Sequence, residues 1–283
     1  MWLLISLCYI FSSTYVQGDC VEGCKQPTLF YNDLNCKPIF DSPGDCCPSH
    51  YNCPDTKEIN DKKCRFHGKI YNIGDSLDDN EIYGNCKADC LCTEGYDGRA
   101  EFVCATLDCP EWLGYQANPG CYFTYEFDKC CSVGETCPPF NVTCKVSDKT
   151  FYEGEKFFPY DAKCTKCICR KGFKGKYEEP FCQKEACVVE INHQKDVKSF
   201  CAPSYLRLED CCPYKWICPA VASDKVISAF KDAIKSSGPK CRFGQEELNI
   251  GDTFNRTSDN GGKVSCECRI PPYLTCIQNY EYE

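Results

Sequence analysis

Histidine is scarce in this chain. His50, His67 and His193 are the only three, each in a different region, and none recurs at an equivalent position where the sequence repeats. A nucleophile needs a base and an orienting group beside it, so this scarcity argues against catalysis built on imidazole. Basic residues are in the minority: 32 lysines and arginines face 41 carboxylates, a formal net charge of -9. Nucleic-acid binding leans on cations that neutralise phosphates, and this balance speaks against it, as it does against docking on anionic lipid. The charge reads as spread along the chain and as serving solubility. Long apolar runs are missing too: past the N-terminus no stretch reaches 18 apolar residues, so no membrane span is expected.

Cysteine is what the chain has in excess, with 31 in 283 residues. That density fits an oxidising compartment and small domains stapled by disulfides. The N-terminus agrees. Trp2 to Phe11 is an apolar run, Ser12, Ser13 and Thr14 follow, and Val16-Gln17-Gly18 offers small residues at a signal-peptidase site. Residues 1–18 therefore read as a signal peptide. Its removal takes Cys8 away and leaves 30 cysteines, an even number, as complete pairing requires.

The cysteines repeat. Cys64, Cys86, Cys90, Cys92, Cys104, Cys109, Cys121, Cys130, Cys131 and Cys137 are followed in the same order by Cys144, Cys164, Cys167, Cys169, Cys182, Cys187, Cys201, Cys211, Cys212 and Cys218. Self-similarity of this kind marks a repeat architecture. Cys20, Cys24, Cys36, Cys46, Cys47 and Cys53 match the second half of the unit, and Cys241, Cys266, Cys268 and Cys276 its first half. The expected order is a half unit at 19–60, whole units at 61–140 and 141–219, a linker at 220–240, and a half unit with an acidic tail at 241–283. Each repeat of about 75 residues holds few apolar side chains, so covalent loops must supplement its core.

Each first half carries a glycine ten residues after its leading cysteine: Gly74, Gly154 and Gly251. Tyr71, Phe151 or Leu248 stands three residues before it and Leu77, Phe157 or Phe254 three after, which reads as a hairpin around a Gly turn. Turns at Gly95–Gly98 and Gly172–Gly175 precede expected strands at Arg99–Val103 and Lys176–Phe181. The second halves lack periodicity and are expected to be mostly loop. In the linker, Val226, Ile227, Phe230, Ala233 and Ile234 fall at helical spacing, with Ser223 and Asp224 as caps and Gly238-Pro239 as the stop. One amphipathic helix of about 12 residues is expected there, as a spacer packed on a neighbouring module, with partner docking and membrane-surface binding as further readings.

The frame Cys144 … Cys164-x2-Cys167-x-Cys169 … Cys182 … Cys187 … Cys201 … Cys211-Cys212 … Cys218 resembles the von Willebrand factor type C (VWC) module. The Cys64 unit departs by one residue, with three between Cys86 and Cys90. The C-terminal Cys266-Glu-Cys268 … Pro271-Pro272 … Cys276 resembles the single-module form of small secreted arthropod proteins. The resemblance implies a small, disulfide-rich, mainly β fold of tandem modules. It also implies an extracellular binding or scaffold role, since chordin-like and kielin-like proteins use such modules in series to bind growth factors of the bone morphogenetic class.

It implies a pairing as well: first cysteine with fourth, second with eighth, third with fifth, sixth with ninth, seventh with tenth. That gives Cys64–Cys92, Cys86–Cys130, Cys90–Cys104, Cys109–Cys131 and Cys121–Cys137, then Cys144–Cys169, Cys164–Cys211, Cys167–Cys182, Cys187–Cys212 and Cys201–Cys218. Carried onto the half units, it gives Cys241–Cys268, Cys266–Cys276, Cys24–Cys47 and Cys36–Cys53, and leaves Cys20 with Cys46.

Other chemistry is thinly supported. Cys164-x2-Cys167-x-Cys169 has a spacing that suits zinc, but a secreted disulfide frame favours bonded cysteines. Asp75, Asp78, Asp79 and Glu81 form an acidic run without the calcium-loop pattern, since Asn80 stands where that loop needs Gly. Asn141-Val142-Thr143 and Asn255-Arg256-Thr257 are glycosylation sequons, and Tyr280 and Tyr282 lie in an acidic tail open to sulfation. Trp112, Leu113 and Tyr115 form an apolar loop that reads either as a ligand contact or as a cover over the Cys109–Cys131 region. The expectation is a secreted, non-enzymatic glycoprotein with no cofactor or metal, binding an extracellular protein ligand or matrix. A secreted serine protease inhibitor of the trypsin-inhibitor-like type, or a salivary or venom effector, is the alternative.

Overall fold

The computed structural model describes residues 24–54, 61–82, 86–219, 227–228, 238–257 and 262–279. The expected signal peptide, Cys20, Tyr280 and Tyr282 lie outside the described residues. The fold is mainly β. In chain order it runs α1 (Phe30–Asp33), β1 (Lys37–Ile39), β2 (His50–Asn52), β3 (Lys63–Phe66), β4 (Lys69–Asn72), β5 (Lys87–Glu94), β6 (Ala100–Thr106), β7 (Tyr122–Thr124) and β8 (Gly134–Thr136). Then follow β9 (Thr143–Val146), β10 (Lys149–Tyr152), β11 (Lys156–Phe157), β12 (Thr165–Ile168), β13 (Cys182–Lys184), α2 (Val189–Asn192), α3 (Gln194–Lys198), β14 (Ala202–Tyr205) and β15 (Lys215–Ile217). The last are β16 (Lys240–Phe243), β17 (Glu246–Asn249), β18 (Thr253–Thr257), β19 (Lys263–Glu267) and β20 (Thr275–Asn279).

Each first half opens with the same hairpin. β3 pairs with β4, β9 with β10 and β16 with β17, all antiparallel, placing Cys64 opposite Tyr71, Cys144 opposite Phe151 and Cys241 opposite Leu248. The glycine that follows sits at φ 99° for Gly74, 86° for Gly154 and 89° for Gly251, a region that a side chain resists. Its N–H donates to Cys92, Cys169 or Cys268 O, at 2.8 Å in all three copies. The next residue, Asp75, Glu155 or Asp252, folds its carboxylate back to accept the N–H of Asn72, Tyr152 or Asn249 at 2.7, 2.6 and 2.8 Å. Two residues further on, the side chain of Leu77, Phe157 or Phe254 drops into its local core. Asp75 is thus spent on a turn that recurs three times.

Fourteen disulfides link the described residues. Cys64–Cys92, Cys144–Cys169 and Cys241–Cys268 tie each hairpin to the returning strand, and Cys90–Cys104, Cys167–Cys182 and Cys266–Cys276 cross neighbouring strands. In the second halves Cys36–Cys53, Cys121–Cys137 and Cys201–Cys218 each close an antiparallel ribbon of two strands, β1–β2, β7–β8 and β14–β15, the last of them part of a larger sheet. Cys24–Cys47, Cys109–Cys131 and Cys187–Cys212 anchor the start of each second half, while Cys86–Cys130 and Cys164–Cys211 join the halves. These are the partners that the resemblance implies. Cys46 is bonded as well, and the partner expected for it, Cys20, lies outside the described residues. Bonds of this kind contribute roughly 2–4 kcal/mol each, chiefly by restricting the unfolded chain.

Three expectations change. Lys176–Phe181 is a loop and the strand starts at Cys182: Pro180 has no N–H for a ladder, and Phe181 N–H turns back to Glu178 O at 3.0 Å. The second halves hold more regular structure than their sequence suggests, namely the three ribbons and helices α1 to α3. Ile227 is not helical. It pairs antiparallel with Thr253 at the edge of β18, where both backbone bonds (2.7 and 3.0 Å) satisfy groups that edge would leave open. The remainder of the expected helix, at 220–226 and 229–237, lies outside the described residues.

The sequence units do not stand apart like beads. β14 of the second whole unit pairs in parallel with β20 of the C-terminal half, making a five-stranded sheet of order β15-β14-β20-β19-β18. One aromatic core draws Phe30, Tyr31 and Tyr51 from the N-terminal half, Val189, Val197 and Trp216 from the second whole unit, and Ile270 and Tyr273 from the C-terminal half. Tyr31 stacks on Tyr51 at 4.0 Å, donates its hydroxyl to Ile270 O at 2.7 Å and accepts Tyr273 N–H at 3.1 Å. The first whole unit docks through α2 and α3: Glu190 pairs with Arg65 at 3.0 Å, and Gln194 accepts Arg65 N–H at 2.7 Å and donates to Ala100 O at 3.1 Å.

Candidate protein-binding surface

The loop after Cys109 is built to hold apolar side chains in water. Cys109 is fully buried and bonded to Cys131. Pro110 opens a 3-10 turn over Pro110–Leu113, where its fixed φ suits the first position. Gly114 ends the turn at φ 89°, and Tyr115 N–H closes on Pro110 O at 3.0 Å. Glu111 clamps the loop from beneath, accepting Ser132 N–H at 2.9 Å and Ser132 Oγ at 3.3 Å. Partial burial works against this carboxylate, but the N–H groups of Glu111 and Ser132 outweigh it and hold its pKa below the usual range. On this rigid base Trp112 is 57% exposed, Leu113 78% and Tyr115 69%. Trp112 thus keeps more than half of its surface open to solvent.

The same segment behaves differently in the other copies. After Cys187 it forms α2, whose Val189 is buried at 0% exposure in the aromatic core, while Glu190 and Ile191, at 4% and 5%, are buried against the first whole unit. After Cys24 it leads into α1, whose Phe30 and Tyr31 fill the aromatic core. In two copies this position docks one unit on another; in the third Trp112, Leu113 and Tyr115 stay exposed.

The remaining candidates resolve into structural roles. Cys164, Cys167 and Cys169 are all in disulfides, so no thiolate is left there for a metal. His50 bonds Ser49 Oγ through Nδ1 at 3.1 Å, His67 stacks on Phe66, and His193 meets Asp196 at 3.0 Å, in three separate places. Burial lowers the pKa of His67. At the junction of the units, a crevice of about 20 Å³ beside Arg65, Glu190, Gln194 and Tyr273 has room for little more than a water. Burial raises Glu190 to a pKa of about 7 despite the nearby Arg65 guanidinium, and raises Asp33 to about 6 despite the N–H of Val189. These junction residues were not singled out by sequence reasoning; their partners lie more than a hundred positions away. Asn141 and Asn255 are both exposed, Asn255 on edge strand β18.

No protein-family model matches the chain, and no solved structure matches it. Curated proteins are similar to it. A von Willebrand factor C and EGF domain-containing protein of Mus musculus is 25% identical over 154 residues, 54% of this chain and 12% of its own length. Protein NEL of Gallus gallus is 24% identical over 181 residues, 61% of this chain and 20% of its own length. The chain thus matches about an eighth to a fifth of each of these relatives. No helix among the described residues is long and apolar enough to cross a membrane. Together, the relatives and the dense disulfides mark the chain as similar to extracellular, cysteine-rich proteins.

Proposed function

We propose that the chain is a secreted, glycosylated binding protein built from VWC-like units at 19–60, 61–140, 141–219 and 241–283, without enzymatic activity. Its partner is an extracellular protein, with a growth factor of the bone morphogenetic class as the first candidate. The observation that carries this reading is the rigid loop bearing Trp112, Leu113 and Tyr115. It presents aromatic and aliphatic side chains to water at the repeat position that elsewhere docks on protein. Exposed aromatic anchors on a preorganised loop are the groups that dominate protein interfaces.

Purified full-length chain is tested for binding to a panel of immobilised growth factors of that class and, in parallel, for inhibition of a serine protease panel. The expected result is saturable growth-factor binding that weakens at least about tenfold in Trp112→Ala/Leu113→Ala, with retained thermal stability and no protease inhibition. Unchanged binding by the folded variant, or tight inhibition of a protease, contradicts the reading.

A further inference from the structure

Charge is unevenly distributed along the chain, which corrects the sequence expectation. Residues 143–184 hold ten lysines and arginines against six carboxylates, a net of +4; the rest holds 22 against 35, a net of −13. A whole-chain total averages this contrast away.

The structure gathers part of that charge. β11 and β12 place Lys156 opposite Ile168, and Lys166 lies two residues before it on the same strand face, turned away from the core of Phe157, Cys167 and Cys182. Arg170 continues the line. All three sit over rings from the preceding unit: Lys156 is 4.2 Å from the Tyr125 ring centre, and Lys166 and Arg170 lie 5.9 and 5.3 Å from that of Phe127. Lys171, Lys174 and Lys176 then stand exposed on the turn that follows. That turn is pinned, because Phe173 packs within 5.6–5.7 Å of Phe157 and Phe181. Lys156, Lys166, Arg170, Lys171 and Lys174 form no ion pair within 4.0 Å among the described residues, and Lys176 meets only Glu178 at 3.9 Å.

We propose that this strip, from Lys156 and Lys166 through Arg170 to Lys176, is a docking surface for a sulfated linear polysaccharide. Sulfates stay ionised at every physiological pH and spread charge along a chain, so they suit a row of cations that runs from half-buried Lys156, Lys166 and Arg170 to exposed Lys171, Lys174 and Lys176, and need no pocket. The acidic remainder of the molecule repels the same polymer and confines it to this face. Burial and the charge of Lys156 push the pKa of Lys166 down, with only Glu185 opposing, and an anion on this face relieves that repulsion.

The test is chromatography of the full-length protein on immobilised heparin, with unsulfated hyaluronan as the second matrix and sedimentation as a check on self-association. Retention on heparin above about 0.15 M salt, release by further salt and no retention on hyaluronan are expected. Lys171→Gln/Lys174→Gln/Lys176→Gln should weaken heparin binding about tenfold, while the charge-matched control Lys37→Gln/Lys63→Gln/Lys87→Gln binds as the parent does. Three results overturn the proposal: no retention on heparin, equal loss in the control, or salt-sensitive self-association that heparin does not compete.

Discussion

Asp33 and Glu190 hold carboxylates where a charge is costly. Their folded pKa values, about 6 and about 7, stand above the ordinary 3.8 and 4.5. The native state therefore binds more protons than the unfolded chain across that window, and these two groups take stability away as pH rises from about 4 to about 7. Their substitutions should differ in sign. Asp33 accepts the N–H of Val189 at 3.3 Å, with the N–H groups of Val188 and Cys187 also turned to its carboxylate, and the amide oxygen of Asn can keep the Val189 bond. Asp33→Asn should gain about 2 kcal/mol on the parent between pH 4.5 and pH 8. Glu190 faces buried Arg65, so Glu190→Gln should leave a buried cation unpaired and destabilise by about 3 kcal/mol at pH 8. Denaturant unfolding with disulfides intact, at both pH values, reads the two signs; no gain of Asp33→Asn on the parent between them contradicts the assignment.

At the scale of elements, the Gly turn does two jobs that spacing alone does not separate. Gly74 and Gly154 share a left-handed φ, but a Cβ on Gly74 meets nothing within 4 Å, whereas one on Gly154 would lie 2.5 Å from Thr124 Cγ2. Gly154 O also accepts Tyr125 N–H at 2.8 Å, so this turn is where one unit seats on the next. Gly74→Ala should cost about 1 kcal/mol for backbone strain alone. Gly154→Ala should cost about 3 kcal/mol, since strain and overpacking add; equal losses in thermal or denaturant unfolding would show that the close approach is unimportant. The three hairpins were legible because Gly recurs ten residues after a cysteine and an apolar residue follows three later. Glu155 and Asp252 after the glycine were an overlooked part of the same signal. The strand at Lys176–Phe181 was misread because turns on one side and a cysteine on the other look alike in both whole units, while Pro180 occurs in one. Short ribbons such as β7–β8 carry no readable alternation, because a disulfide rather than an apolar face holds them.

At the scale of the whole molecule, covalent frame and noncovalent packing follow different rules. The frame stays within each repeat and was legible through its family-like spacing. The packing runs between repeats and was not: Tyr31 bonds Ile270 across 239 positions, and no periodicity relates them. That packing brings the two half units of the chain against the second whole unit, while the Trp112 loop and the Lys171–Lys176 turn stay open to solvent. The central claim is that thirty cysteines pair within four units and leave no thiol free. Non-reducing peptide mapping of the secreted protein by mass spectrometry tests it most directly. The account predicts the fourteen linkages above, a Cys20 peptide joined to the Cys46–Cys47 peptide, and no alkylation by iodoacetamide before reduction. A Cys20 peptide linked elsewhere, a bridge between units, or an alkylated cysteine in the native protein would contradict it.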